Sequence, residues 1–77
     1  MQTVVDSEVN AVGLNCPLPI LKAKKALAGL ESGQFLRVLA TDPGSVRDFE
    51  AFAKQAKHEL VESSEENGTY IFVMKKA

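Results

Sequence analysis

The chain has 77 residues, 45% of them hydrophobic and 25% charged, with a formal net charge of -1. That length leaves room for one small core, and the composition is that of a folded globular chain rather than a disordered one. The charge supplies no basic field that would draw the protein to nucleic acid or anionic lipid, and no apolar run approaches the ~18 residues of a membrane span.

The N-terminus, MQTVVDSEV, has neither the basic start nor the apolar stretch of a secretory signal. From Val5, positions Val5, Ser7, Val9 and Ala11 alternate with Asp6, Glu8 and Asn10, the pattern of a half-buried strand. After the turn CPLP, Ile20, Ala23, Leu27 and Leu30 recur at helical spacing with Lys22 and Lys25 on the other side. Gly29 and Gly33 punctuate the end of that predicted helix. FLRVLA, 35 to 40, is an apolar run broken only by Arg37 and reads as a central strand.

TDPGSVRD then reads as a loop and helix start, with Ser45 as the expected cap and Asp48 in the first turn. Val46, Phe49, Ala53 and Ala56 supply the expected buried stripe of the second helix, with Phe52 beside it. Leu60 and Val61 mark a third, more polar strand that belongs near an edge. Asn67-Gly68 signals a tight reversal, although EENG as a whole could form a longer loop. TYIFVM, 69 to 74, is the strongest strand signal.

The expected architecture is therefore α+β, with element order βαβαββ in one domain spanning residues 1–77. It is a two-layer α/β sandwich: a four-stranded mixed sheet with both helices on one face. Strand order cannot be read from these patterns.

The chain's only cysteine, Cys16, stands in GLNCPLP between a glycine-led loop and two prolines. With Cys16 as helix cap, Pro17 takes the first helical position and Pro19 the third, where a missing N–H costs little. The amide of Leu18 is then left between them, pointing out of the helix end; Pro19 disfavours helical geometry at Leu18, so the turn is either slightly strained or begins a residue later. A thiolate here faces the positive end of the helix dipole, which should lower its pKa; Lys22, Lys24 and Lys25 add a weaker, screened effect.

One cysteine cannot close an internal disulfide, which suits a reducing cytoplasm and rules out thioredoxin-type cycling within the chain. Acyl transfer would require an orienting histidine, and the only one, His58, lies at the end of the second helix. One Cys and one His make no recognisable metal-ligand set, and no cofactor is implied. The simplest task for an isolated activated thiol is to attack a sulfur atom on a donor protein and accept it as a persulfide. The plainer alternative is a buried structural thiol.

The segment GLNCPLPILKAKKAL, with GQFLRVLATDPGSVRDFEAF and HEL further on, resembles the TusA/SirA family of small sulfur-carrier proteins. The similarity runs from about Val9 to Lys75, and Cys-Pro-x-Pro is a fairly specific signature in so short a chain. The resemblance implies a two-layer α/β sandwich. It also implies that Cys16 carries sulfur as a persulfide, from a cysteine desulfurase or rhodanese-like donor to an acceptor protein. Gly13, Leu14, Pro17 and Pro19 match the motif. Leu18 and Asn15 stand where members of the tRNA-thiolation relay often have an acidic residue and an arginine. Donor, acceptor and pathway (tRNA thiolation, sulfur oxidation or molybdenum-cofactor supply) therefore stay open.

Lys22, Lys24 and Lys25 are candidates for docking an acidic partner surface, or simply a solvated face. Asp42, Pro43, Ser45, Arg47 and Asp48 read first as a turn and cap; the family resemblance in this loop implies a second reading, lining of the thiol site. Two other functions compete with sulfur carriage. In a non-catalytic regulatory or protein-interaction module, CPLP would serve only as helix entry. Nucleic-acid binding rests on fold analogy alone, and the slightly acidic charge speaks against it.

Overall fold

The computed structural model describes residues 5–77. Its elements are β1 (Ser7–Ala11), α1 (Leu18–Ala28), β2 (Phe35–Ala40), α2 (Ser45–Ala56), β3 (Glu59–Glu66) and β4 (Thr69–Lys75). The βαβαββ order and the four-stranded mixed sheet stand as expected. The sheet order is β1-β2-β4-β3. β1 runs parallel to β2, while β4 runs antiparallel to both β2 and β3. β2 and β3, joined through α2, are thus parallel in direction but do not pair, because β4 lies between them.

Alternation along β2 sorts the two faces. Leu36, Val38 and Ala40 point to the helices and are fully buried, and their β4 partners Met74 and Phe72 continue that layer. Ala23 and Leu27 of α1 and Phe49, Phe52 and Ala53 of α2 close over it. Phe49 stacks on Phe72 with ring centroids 4.6 Å apart and planes 21° from parallel, a favourable aromatic geometry. Ala56 does not share this layer; it lies exposed in the last turn, past the core stripe. The α2 cap also differs from expectation. Gly44 is the cap and Ser45 is the first helical residue, so its Oγ turns inward, buried and without a hydrogen-bond partner.

β3 is an edge strand, as its polarity suggested, and runs longer than Leu60 and Val61 indicated. A bulge between Leu60 and Glu62 leaves Val61 unpaired, and it is 40% exposed. Beyond the bulge, Glu62 and Glu66 line the helix-free face with Leu39, Ile71 and Val73. Arg37 on that face donates to Glu8 at 2.6 Å. Both side chains are more than 40% exposed, so the pair contributes at most about 1 kcal/mol.

The β3–β4 hairpin closes through two residues, with no longer loop over EENG. Asn67 has φ 52° and Gly68 φ 83°, the left-handed pair that a two-residue turn of this twist requires. A Cβ at Gly68 would meet no atom within 4 Å, so only backbone strain opposes one. Gly68→Ala is expected to cost about 1–2 kcal/mol, read as a lower urea midpoint with an unchanged slope.

Candidate functional site

Parallel β1 and β2 end side by side at Ala11 and Ala40, so the loops leaving them emerge together at one end of the sheet. Loops at the carboxyl ends of parallel strands are a recurrent place for chemistry in α/β folds. Here the two loops are tied to each other. The Gly13 amide donates to Thr41 Oγ1 at 2.9 Å, and the Cys16 amide donates to Asp42 Oδ2 at 3.0 Å. Gly13 itself has φ 82°, a left-handed conformation that favours glycine at this bend.

Asp42 holds its own loop as well. Its Oδ1 accepts from the Gly44 amide at 3.3 Å, and its carbonyl accepts from the Ser45 amide at 2.9 Å. One carboxylate therefore connects the backbone of the cysteine loop to the start of α2. Turn-making and site-lining, alternatives in the sequence, are here the same act.

The helix entry lies one residue later than a Cys16 cap would place it. Pro17 is the cap, Leu18 the first helical residue and Pro19 the second, and the Cys16–Pro17 peptide is cis. No side chain caps α1. The Leu18 amide does not point free of the helix; it donates to the Asn15 carbonyl at 2.9 Å, while Leu21 N–H reaches the Pro17 carbonyl at 3.1 Å.

Cys16 is exposed, which removes the buried structural alternative. Two shallow grooves meet at it. One runs along the start of α2 past Asp42, Pro43, Gly44, Arg47 and Asp48. The other runs between the helices past Pro17, Ile20, Lys24, Asp48 and Phe52. Asp48 borders both.

The thiol's ionisation is opposite to the expectation from the helix dipole. Its pKa is raised above the ordinary cysteine value, first by hydrogen bonding to the Asp48 side chain. Loss of hydration and the negative charges of Asp48 and Asp42 add to this. The helix-end effect is short-ranged, and these carboxylates, brought from further along the chain, line the same groove as the thiol. Asp48 borders the thiol in both grooves, a placement its spacing alone does not reveal, because it fits a helix-start acid equally well.

The three lysines part company. Lys24 alone borders a groove with Cys16, with Nζ 5.8 Å from the Phe52 ring centroid. Lys22 donates to the Asn10 carbonyl at 3.3 Å and shares a different depression with Lys25, Glu8 and Ala26. Gly13 and Leu14 lie in the cysteine loop, where Leu14 packs against the core. Val12, Leu18 and Leu21 leave apolar surface exposed around this end of α1, at 48%, 46% and 52%. Only Leu18 of these was singled out in the sequence, although Leu21 was visible there as a leucine off the buried stripe. His58 lines neither groove at the sulfur; its Nδ1 accepts from the Ala77 amide at 3.0 Å.

The thiol is thus exposed, tied through its backbone at the end of a βαβ unit, and open to other molecules along two grooves. The family described as Sulfurtransferase TusA matches residues 7–76. The chain is 62% identical over 72 residues to the sulfur carrier protein TusA of Allochromatium vinosum, covering 94% of this chain and 95% of that one. It is 43% identical to the sulfur carrier protein TusA of Pseudomonas aeruginosa, covering 94% and 91%. Among solved structures, a SirA-like protein from Desulfitobacterium hafniense superposes with a TM-score of 0.80 at 30% identity, covering 90% of this chain and 95% of that one. This chain belongs to the TusA family of sulfur carriers.

Proposed function

We propose that this chain carries sulfur as a persulfide on Cys16, taking it from one protein and delivering it to another. The observation that carries this reading is the position of Cys16, exposed on a backbone clasp and fronting an open groove rather than enclosed in a pocket. Its substrate is a sulfur atom held on another macromolecule. The Cys16 thiolate attacks the outer sulfur of a donor persulfide, a new S–S bond forms on Cys16, and the donor's own S–S bond breaks to leave a thiolate. Delivery repeats the exchange, with Cys16 Sγ as the leaving group.

In this role the protein is a sulfurtransferase whose single catalytic group is Cys16. Gly13, Leu14, Pro17, Leu18 and Pro19 shape the loop and helix entry that present it. A cysteine desulfurase or a rhodanese-like protein fits as donor, because both hold sulfur as a cysteine persulfide. Lys24, with the exposed Leu18 and Leu21, suits contact with a partner. Lys22 and Lys25 could join only through a wider footprint. A reducing cytoplasm is the compartment in which such a thiol persists. Among the described residues, no helix is long and apolar enough to cross a membrane.

Incubation with a cysteine desulfurase and cysteine is expected to add the mass of one sulfur atom, mapped by peptide analysis to Cys16 and removed by a reducing thiol. A chain that gains no sulfur, or gains it elsewhere, would refute the proposal.

A further inference from the structure

The wall beside Cys16 holds more carboxylates than cations. Asp42, Asp48 and Glu50 border the groove along α2, where Arg47 is the cation, and Lys24 stands in the neighbouring groove beyond Asp48. These groups come from the β2–α2 loop, from α2 and from α1, the elements that pack around the thiol. Asp42 is already committed to the amides of Cys16 and Gly44. Asp48 has no comparable backbone commitment among the described residues, and it borders both grooves together with the sulfur.

We propose that Asp48 is a positioning residue that holds the proton on Cys16 Sγ in the free protein, until a cationic side chain of a docking partner enters beside Asp42 and Asp48 and releases it. This rests on the sulfur-carrier reading and adds to it a regulation and a kind of partner: one that presents a lysine or arginine beside its reactive sulfur. A nearby carboxylate disfavours the thiolate and a nearby cation favours it. The place of Asp48 beside the thiol in both grooves agrees with the resting half of this cycle, as does the raised thiol pKa, of which Asp48 is the largest cause.

In the complex, the Cys16 proton passes to solvent and the sulfur keeps the electron pair. That pair forms the bond to the donor's outer sulfur. The pair from the broken donor bond stays on the donor's inner sulfur, which takes up a proton. One thiol and one persulfide stand on each side of the step, so no oxidant or reductant is consumed.

The test is the rate of Cys16 modification in the full chain, for the parent, Asp48→Asn and Asp48→Glu. Neutral iodoacetamide is used across pH, and a cationic and an anionic methanethiosulfonate are compared at neutral pH. For Asp48→Asn, the iodoacetamide profile is expected to move to lower pH, and the neutral-pH rate to rise by about threefold or more. The parent is expected to prefer the cationic over the anionic reagent by about tenfold relative to free cysteine, and Asp48→Asn to lose most of that preference. Asp48→Glu should restore both toward the parent, whereas a merely structural role would move neither the profile nor the charge preference. Sulfur loading of the parent by a persulfide donor is measured alongside. A parent that takes up no sulfur overturns the carrier reading and this inference together. A parent that loads, with Asp48→Asn matching it in profile and charge preference, overturns this inference alone.

Discussion

Cys16→Ser is expected to take up no sulfur from a persulfide donor while unfolding at the parent's thermal midpoint. Both halves follow from where the residue sits. The side chain is exposed, so the swap opens no cavity. The bond that ties this loop to Asp42 comes from the Cys16 backbone amide, which serine keeps. Serine's oxygen, however, cannot form a persulfide, and no other cysteine in the chain could take its place. Intact-mass measurement after loading and a thermal melt of the same sample check the two halves. Residual loading in the variant would mean that sulfur binds elsewhere. A large drop in midpoint would mean that the thiol is structural after all.

Phe49→Ala has the opposite profile, with a large effect on stability. Phe49 is fully buried, stacked on Phe72 of β4, and belongs to the cluster that joins α2 to the two central strands. Removing a buried phenylalanine ring typically costs about 3–5 kcal/mol in lost transfer energy and residual cavity. Domains are stable by only about 5–15 kcal/mol, and a chain this short belongs toward the lower end. A substantial unfolded population is therefore expected at room temperature, read as a collapse of the urea midpoint. Phe52→Ala should lose less, since Phe52 keeps 9% of its surface in solvent and borders the inter-helix groove. Equal losses at the two positions would contradict the packing described.

How much of this could be read in the chain depends on how far apart the interacting residues are. FLRVLA, TYIFVM and the Phe49–Ala53 stripe announced their elements because side-chain periodicity is a local property. Asn67-Gly68 announced its turn because left-handed backbone is rare outside such pairs. That turn also made β3 an antiparallel neighbour of β4, but the strand on the other side of β4 was not legible. β2 pairs with β4 across a whole helix and strand, and nothing local to either records that choice. The site divides in the same way. CPLP marked the thiol and a helix entry, but its pKa is raised by Asp48 of α2 and Asp42 of the loop before it, both far along the chain. Dipole reasoning on α1 alone pointed the pKa the wrong way for that reason. The Ser45 expectation failed more narrowly: the Asp-Pro-Gly turn moved the cap to Gly44 and sent the serine inward.

β4, the final strand in chain order, sits in the interior of the sheet and contributes Phe72 and Met74 to its packed layer. During synthesis on the ribosome, the cysteine loop and its Asp42 clasp are made long before the strand that completes the layer beneath them. Until that strand emerges, β2 has one open edge and Phe49 lacks its stacking partner, so the cooperative fold cannot close.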